Sequence, residues 1–269
     1  MPGIAILGVT GRMGQALVRA LREAPSDPGS SLQLSGALAS PSSARLGLDA
    51  AAEGAPTGIC VGSDPEAALA GAAVAVDFSA PQQLAAHARA CAARGVAFLA
   101  GTTGFDRDAR AALEAAAGRI PVLIAPNTSV GVAVLTQLVS AAAATLGADV
   151  DVEISEAHHR LKRDAPSGTA LALGEAVAAA RGARLEEVAC YDRHGAIEAR
   201  TPGSIGFAVV RAGDIVGEHT VMFAAAGERL ELTHRATDRM IFARGALRAA
   251  RWLIGRPAGL YGMRDVLGV

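Results

Sequence analysis

The sequence predicts an α/β protein in which a doubly wound parallel sheet is followed by a smaller α+β domain with a mixed, open sheet. Up to about Asn127, short apolar runs typical of strands alternate with amphipathic runs typical of helices. This alternation indicates parallel strands covered by helices on both faces. Beyond Asn127 the runs are longer, and the last two alternate apolar with polar residues, as strands with one buried face do.

The elements follow in order along the chain. In the first part, strands are predicted at 3–8, 32–39, 73–79, 96–104 and 120–127, with helices at 12–24, 81–95 and 108–118. In the second part, helices are predicted at 131–147 and 167–181, and strands at 150–159, 203–212, 215–226 and 229–236. The Ser-, Pro- and Gly-rich pieces at 25–31 and 40–43 are predicted loops. A last amphipathic helix at 239–255 could pack on either domain.

Composition narrows the class of protein. The 269 residues are 51% apolar and carry a formal net charge of −1, a balance that favours neither nucleic acid nor a membrane surface as partner. Apolar runs are too short to span a bilayer, and the N-terminus enters a strand pattern directly, so we expect a cytoplasmic protein. The three cysteines lack metal-ligand or CxxC spacing, so neither a disulfide nor a metal site is expected.

The segment "GVTGRMG" comes directly after the first apolar strand and opens a helix. In that context Gly8, Gly11 and Gly14 allow a tight turn, close approach of a pyrophosphate and helix packing. Arg12, in the first helical turn, can reach a further phosphate. Thr10 stands where the usual second glycine would be, so the alternative is a simple strand-to-helix turn.

The end of the second strand, "GALASPSSAR", bears on the choice of cofactor. No Asp or Glu is present to accept the ribose hydroxyls that NADH presents. Arg12 and the residues after Ala39 could instead donate to a 2′-phosphate, which favours NADPH; these are Ser40, Ser42, Ser43 and Arg45. The alternative is that the serines only solvate a loop.

Two further strand ends, "DFSAP" and "GTTGF", belong to the same predicted crevice, because ligands bind at the carboxyl ends of parallel strands. Their small residues let a nicotinamide ribose lie against the backbone. The next strand ends in "APNTSVG", which can offer amides to the nicotinamide end. We interpret Asp77 and Ser79 as helix caps and His87 as an ordinary helix residue.

The segment "EAHHRLKRDAPSGTA", residues 156–170, concentrates positive charge and two histidines between a strand and a helix start. His158 is the candidate general acid, while Lys162 with Arg160 or Arg163 can bind carboxylates. The amides at the helix start form a candidate anion site together with the Thr169 hydroxyl. This combination predicts a pocket for a small molecule with more than one carboxylate; the alternative is a solvated charged face.

Four segments together resemble the dihydrodipicolinate reductases, the 4-hydroxy-tetrahydrodipicolinate reductases of bacterial lysine and diaminopimelate biosynthesis. They are "GVTGRMG", "GTTGF", "EAHHRLKRDAPSGTA" and "RAGDIVGEHTVMF". The resemblance implies an oxidoreductase that reduces 4-hydroxy-tetrahydrodipicolinate to tetrahydrodipicolinate by hydride transfer from NADPH or NADH. It implies a Rossmann-like dinucleotide-binding domain at 1–126 with 241–269, and a substrate-binding and oligomerisation domain at 127–240. A cytoplasmic homotetramer, built through the sheets of the second domain, is implied as well.

The resemblance also assigns roles to matching positions. His158 and Lys162 would be catalytic, and His159, Gly168 and Thr169 would contact substrate. The cofactor would be held by Gly8, Val9, Thr10, Gly11, Arg12, Met13, Gly101, Thr102, Thr103, Ala125, Pro126, Asn127 and Thr128. Many members carry an acidic residue at the position of Ala39 or Ser40, and this departure puts efficient use of NADH in doubt.

The segment "RAGDIVGEHTVMF" contains Arg211 and His219. Because their strand alternates with apolar neighbours, we assign both to sheet and subunit contacts; the alternative is that they approach the pocket. A related two-domain dehydrogenase acting on an amino acid or its semialdehyde is one alternative function. A nucleotide-sensing protein without turnover is another, although such a sensor has little use for paired histidines beside Lys162.

Overall fold

The computed structural model describes residues 1–23, 32–195 and 197–268. The chain forms two compact units, Met1–Ser129 with Met240–Val269, and Val130–Arg239. The predicted loop at 25–31 lies outside the described residues.

The described residues of the first unit form six strands and their helices. Its strands are β1 (Gly3–Leu7), β2 (Gln33–Leu38), β3 (Val74–Asp77), β4 (Ala97–Ala100), β5 (Pro121–Ile124) and β11 (Gly259–Tyr261). Its helices are α1 (Arg12–Glu23), α2 (Pro65–Ala68), α3 (Leu84–Arg94), α4 (Arg107–Ala117), α8 (Met240–Leu253) and α9 (Met263–Leu267), with a short 3₁₀ turn at Pro81–Gln83.

These six strands form one parallel sheet in the order β11-β5-β4-β3-β1-β2. The predicted doubly wound parallel sheet is therefore confirmed. Strand order reverses between β1 and β3, and such a switch point is where open α/β sheets bind ligands. The register aligns the last residues of five strands side by side: Leu38, Leu7, Asp77, Ala100 and Ile124.

Helices cover both faces of the sheet. Ala5 and Leu7 of β1 belong to a buried cluster with Leu84 of α3 and Leu113 of α4. Alternate side chains of a strand point to opposite faces, and Ile4 and Ile6 are also fully buried, so the second face is covered too. Helices α1 and α8 pack against each other, and α8 also packs on β3 and β4.

The second unit is an α+β domain around a five-stranded mixed sheet. Its helices are α5 (Val130–Leu146), α6 (Gly168–Ala180) and α7 (Leu185–Val188). Its strands are β6 (Asp151–His158), β7 (Ala189–Cys190), β8 (Ile205–Arg211), β9 (Gly217–Ala225) and β10 (Glu228–Ala236), in the order β10-β9-β6-β8-β7. The β9–β10 and β6–β9 pairs are antiparallel, and β6–β8 and β8–β7 are parallel, which confirms the predicted mixed sheet.

Helices α5 and α6 pack on one face of this sheet. Leu135 and Val139 of α5 and Leu173 of α6 share a buried cluster with Ile154 and Val221 of the sheet. Along β6, burial alternates strictly from Asp151 to His158. In the part of the chain that the structure describes, no helix is both long and apolar enough to cross a bilayer.

Candidate active site

The glycine turn after β1 lies at the switch point of the parallel sheet. Gly8 has φ +84°, a left-handed conformation that favours glycine, and a Cβ there would lie 2.6 Å from the carbonyl oxygen of Phe78. A Cβ at Gly14 would collide with the carbonyl oxygen of Gly8. The amide of Gly11 donates to that same oxygen at 3.0 Å. Glycine at position 8 therefore lets the turn pass close to Phe78, and glycine at position 14 lets α1 pack against the turn itself.

The turn has the character of a phosphate cradle. The amides of Gly8 and Val9 both donate to the carbonyl of Leu38, which fixes the turn against the end of β2. Helix α1 begins at Arg12, so the amides of Arg12 and Met13 lie in a first turn, where helices lack intrahelical acceptors and their dipole attracts anions. These residues fit the pyrophosphate of a dinucleotide.

The end of β2 places its serines at the surface. Ser40 and Ser42 are exposed, and their hydroxyls are 2.9 Å apart. Arg12 is exposed as well. The guanidinium of Arg45 instead donates to the carbonyls of Asp49 and Ala51 at 2.7 and 3.0 Å, which holds its own loop. Ser40, Ser42 and Arg12 are thus better placed than Arg45 to meet a 2′-phosphate.

The loops after β4 and β5 emerge from the same edge of the sheet. Gly101 is buried beside Phe78, whose ring a Cβ at Gly101 would strike, while Thr103 is exposed. Thr102 is buried, and its hydroxyl donates to Asp77 Oδ1 at 2.7 Å. Thr103 is therefore accessible to a ligand, whereas the Thr102 hydroxyl is already bonded to Asp77. The small residues let a ligand lie against the backbone.

After β5, Ala125 is buried and Pro126 is exposed. Asn127 Oδ1 accepts the amide of Ser129 at 2.9 Å. The hydroxyl of Thr128 donates to the carbonyl of Phe242 in α8 at 2.7 Å. The Thr128 side chain therefore fastens the loop to α8.

Asp77, Ser79 and His87 differ from their predicted roles. Asp77 is fully buried, and its Oδ2 lies 2.6 Å from Nδ1 of His87, itself 5% exposed. The following 3₁₀ turn has Ala80 at its N-cap and no side-chain cap hydrogen bond. The interpretation of Asp77 and Ser79 as helix caps, and of His87 as an ordinary helix residue, is wrong.

In the second unit, His158 is part of a buried ionic cluster at the end of β6. Glu156 and His158 lie on the same buried face of that strand, because they are two residues apart. Nδ1 of His158 is 2.6 Å from Oε2 of Glu156. The guanidinium of Arg211, at the end of β8, donates two hydrogen bonds of 2.8 Å to the Glu156 carboxylate. A carboxylate accepts only, so Nδ1 carries the hydrogen in neutral His158 and Nε2 is left as the nitrogen for exchange.

The start of α6 joins the same cluster. The amide of Ser167 donates to Glu156 Oε1 at 3.0 Å, and the Ser167 hydroxyl caps α6 by accepting the amide of Ala170. His219 Nε2 lies 3.0 Å from that hydroxyl, and the His219 ring meets the His158 ring edge-on with centroids 5.1 Å apart. A Cβ on Gly217 would lie 3.0 Å from His158 Nε2. Glycine at 217 thus keeps this nitrogen uncrowded.

The surroundings shift the pKa values of these groups. Burial lowers the pKa of His158; Glu156 opposes this, while the charges of Lys162 and Arg211 add to it. Burial would raise the pKa of Glu156, but hydrogen bonds from Arg211, His158 and Ser167 outweigh it and hold the pKa below its ordinary value. Burial, with the nearby charge of His158, lowers the pKa of His219 to about 4. Glu156 is therefore ionised at neutral pH, and both imidazoles favour the neutral form.

The remaining predicted substrate residues surround the helix start. Lys162 is largely buried, and its Nζ pairs with Asp164 Oδ2 at 2.9 Å. His159 is half-buried, whereas Arg160 and Arg163 are exposed. Helix α6 begins at Gly168, with open space where a Cβ would lie, and Thr169 is half-buried. Asp164 is exposed, so another anion can replace it as the partner of the Lys162 ammonium group.

Sequence reasoning does not find the roles of Glu156 and Ser167 in this cluster. The sequence assigns no function to Glu156 and predicts only a helix start at Ser167, although the spacing of Glu156 two residues before His158 on a strand indicates that the two share a face. Arg211 and His219 lie in β8 and β9, as predicted for sheet residues, and their side chains also contact the buried histidine cluster.

A parallel sheet with a glycine cradle at its switch point, joined to a second unit that carries a buried histidine–carboxylate cluster, defines a two-domain Rossmann-type oxidoreductase. Residues 3–128 match the N-terminal domain of the dihydrodipicolinate reductases, and residues 131–267 match their C-terminal domain. The chain belongs to the dihydrodipicolinate reductase family, as the resemblance predicted.

Individual relatives agree with this assignment. The 4-hydroxy-tetrahydrodipicolinate reductase of Thiobacillus denitrificans is 54% identical over 99% of this chain and 98% of its own length. That of Anaeromyxobacter dehalogenans is 49% identical over 100% of this chain and 98% of its own. A dipicolinate-bound dihydrodipicolinate reductase from Paenisporosarcina sp. TG-14 has the same fold, with a TM-score of 0.76 at 24% identity over 98% of this chain and 99% of that one.

Proposed function

We propose that this chain reduces 4-hydroxy-tetrahydrodipicolinate to tetrahydrodipicolinate in lysine and diaminopimelate biosynthesis, with NADPH favoured over NADH. Membership of the reductase family supports the reaction. The observation that carries the mechanism is the 2.6 Å contact between Glu156 Oε2 and His158 Nδ1, which directs the exchangeable proton of His158 to Nε2. His158 is the proposed general acid.

The overall reaction adds one hydride and one proton to the substrate and releases one water. Bound NAD(P)H supplies the hydride. His158 supplies the proton from Nε2, and the ionised Glu156 stabilises the imidazolium before transfer. Arg211 fixes the Glu156 carboxylate with two parallel hydrogen bonds, so the imidazole stays oriented through the step.

The substrate carboxylates are the proposed partners of the basic segment. Lys162, held 2.9 Å from Asp164, exchanges that exposed partner for a substrate carboxylate. Gly168 and Thr169 offer amides at the N-terminus of α6, where the helix dipole favours an anion. His159 completes the substrate contacts. A substrate carboxylate next to His158 would be a second anion, in addition to Glu156. It would raise the pKa of His158 and so favour the protonated imidazole that delivers the proton.

The cofactor is proposed to bind along the carboxyl edge of the parallel sheet. The Gly8–Met13 turn takes the pyrophosphate, and the loops at 101–103 and 125–128 take the nicotinamide half. The preference for NADPH rests on Arg12, Ser40 and Ser42, which are exposed and include no acidic group. A 2′-phosphate would gain donors there, whereas the bare ribose of NADH would find no carboxylate.

The two domains are proposed to have separate functions. Domain 1–126 with 241–269 binds the dinucleotide, and domain 127–240 binds substrate and carries the contacts of a cytoplasmic homotetramer. Exposed apolar side chains on the second sheet support the assembly: Val209, Val210 and Leu230.

The decisive experiment follows the loss of reduced-nicotinamide absorbance with the condensation product of aspartate semialdehyde and pyruvate. His158→Gln should lower turnover by about 100-fold or more, because a general acid contributes ~10²–10⁴-fold. Lys162→Ala should also lower turnover, because the substrate loses the positive charge that binds and orients its carboxylate. Both variants should keep the wild-type affinity for NADPH. Arg184→Ala, which removes an exposed charge paired with Glu187, is the control and should retain activity. Wild-type turnover in both His158 and Lys162 variants would refute the proposed mechanism.

A further inference from the structure

Asp77 is the centre of a buried hydrogen-bond network at the end of β3. Its Oδ1 accepts the amide of Ser79 at 2.8 Å, the hydroxyl of Ser79 at 2.8 Å and the hydroxyl of Thr102 at 2.7 Å. Its Oδ2 accepts Nδ1–H of His87 at 2.6 Å. Asp77, Thr102 and His87 are each no more than 5% exposed. Four donors from three segments thus converge on one carboxylate.

The three segments are those that shape the proposed dinucleotide edge. Thr102 lies in the loop after β4, Ser79 in the loop after β3, and His87 on α3. Phe78, between Asp77 and Ser79, is wedged between the glycine turn and Gly101: a Cβ on Gly8 would meet its carbonyl, and a Cβ on Gly101 would meet its ring. A shift of the Asp77–Ser79 loop would therefore disturb both the pyrophosphate turn and the 101–103 loop.

The chemistry of the network favours a positioning function. A buried carboxylate is costly unless its oxygens are fully hydrogen-bonded, and an apolar residue at the end of β3 would stabilise the sheet without that cost. The hydroxyls of Ser79 and Thr102 both donate hydrogen bonds to Asp77, so these two side chains hold their loops in place. Within the part of the chain that the structure describes, His87 supplies the hydrogen bond to Oδ2, and it does so from a helix that lies outside the loops.

We infer that Asp77 and His87 form a buried positioning pair that sets the conformation of the 101–103 loop, and so the affinity for the reduced nicotinamide dinucleotide. His87 does not touch the cofactor; it acts through Asp77 on Thr102 and Ser79. This inference rests on the proposed function, since it assigns the loop to NADPH or NADH.

Three variants separate positioning from packing. His87→Leu keeps an apolar volume in α3 but loses the donor to Asp77. His87→Asn restores a donor, because its Nδ2 has the same distance from Cβ as Nδ1 of histidine. Cys91→Ala is the packing control: Cys91 is fully buried one turn further along α3, in the apolar cluster under the sheet.

The measurement is the dissociation constant of NADPH, by titration calorimetry and by the fluorescence of the bound nicotinamide, alongside thermal unfolding. His87→Leu should weaken NADPH binding about tenfold, the equivalent of one hydrogen bond to a charged group, and leave the KM for the dicarboxylate within about twofold. His87→Asn should stay within about threefold of wild type. Cys91→Ala should lower the unfolding temperature and leave NADPH affinity unchanged.

If His87→Leu binds NADPH as the wild type does, or if only its unfolding temperature falls, the inference is overturned and the proposed function stands. If the wild-type protein binds neither NADPH nor NADH, the proposed function fails and the inference fails with it. Should His87→Leu not fold, Thr102→Val removes the donor on the loop itself, and unchanged NADPH affinity in that variant overturns the inference.

Discussion

Nδ1 of His158 lies 2.6 Å from Oε2 of Glu156, a partner two residues earlier on the same face of β6. A strand places such residues side by side, so the orientation of the imidazole is built into local backbone geometry. Arg211 and the Ser167 amide then occupy the remaining positions around the carboxylate. The consequence is an imidazole with a fixed tautomer, and it can be tested directly.

Replacing Glu156 by Gln should lower kcat about tenfold or more, because the amide no longer fixes the tautomer of His158 or stabilises its cation. Glu156 raises the pKa of His158 against the effect of burial, so its removal should lower that pKa further. The proton donor is the charged form; hence kcat/KM should begin to fall at a lower pH than in the wild type. Steady-state kinetics across pH 5 to 9, roughly the range where histidine titrates, would measure both effects.

Glu153→Gln is the matched control for that variant. Glu153 lies on the same strand and pairs with Arg193 and Arg200, away from the histidine cluster. It should keep the wild-type pH profile and kcat within about twofold, as expected of half-exposed ion pairs. An identical profile for Glu156→Gln and the wild type would contradict the orienting role.

Lys162→Met should move the pH dependence in the opposite direction. The positive charge of Lys162 contributes to lowering the pKa of His158, although burial is the larger cause. Without that charge the imidazole holds its proton to higher pH, so the fall in kcat/KM should occur at a higher pH, while KM for the dicarboxylate rises. NMR titration of the His158 ring gives a readout independent of turnover. A shift of that titration to lower pH would refute this electrostatic account.

His219 should make stability depend on pH. Burial lowers its pKa to about 4 in the folded protein, against 6.5 ordinarily. The unfolded chain therefore binds the proton first as the pH falls, and stability is lost between about pH 6.5 and pH 4. The loss approaches about 3 kcal/mol, since one pKa unit corresponds to ~1.4 kcal/mol. Urea unfolding at several pH values would measure it.

The matched variants for that effect are His219→Gln and His194→Gln. The first keeps a donor near Nε2 without a titrating group, so its free energy of unfolding should vary less over this pH range. His194 is exposed, and its replacement should leave the wild-type slope. Equal slopes for His219→Gln and the wild type would show that His219 does not contribute.

Gly217→Ala should lower kcat several-fold and leave the affinity for NADPH unchanged. A Cβ there would lie 3.0 Å from His158 Nε2, so the imidazole must shift by a few tenths of an ångström, and misplaced reacting groups lose rate steeply. Gly118→Ala is the control: its Cβ would lie 3.4 Å from the Ala115 carbonyl, an ordinary contact on helical backbone. Unchanged kcat in Gly217→Ala would place the exchanging nitrogen elsewhere.

Ser40→Asp should reverse the proposed cofactor preference. A carboxylate at the end of β2 would repel a 2′-phosphate and accept the ribose hydroxyls, so the ratio of kcat/KM for NADPH to that for NADH should fall about tenfold or more. Measuring both cofactors with the same substrate removes any general loss of activity. A ratio that does not change would show that the 2′-phosphate lies away from Ser40.

The sequence alone predicted the parallel sheet, the mixed sheet and the glycine turn, because hydrophobic periodicity and glycine spacing are local signals. The buried networks were not predictable in this way. Asp77 and His87 are ten residues apart, and Glu156 and Arg211 are 55 apart, so their pairing depends on strand register and helix docking. A buried ion pair and a solvated one have the same residue composition, and only the fold distinguishes them.

The return of the chain to the first unit has a consequence for synthesis. Helix α8 contributes buried Ala243, Ala246, Ala250 and Leu253 to that unit, and β11 pairs with β5 at the edge of its sheet. Residues 130–239 are contiguous in sequence and can fold once they have been synthesised, whereas the nucleotide-binding unit also needs residues that follow Arg239. A nascent chain stalled before Met240 would therefore present an uncovered apolar sheet face to chaperones.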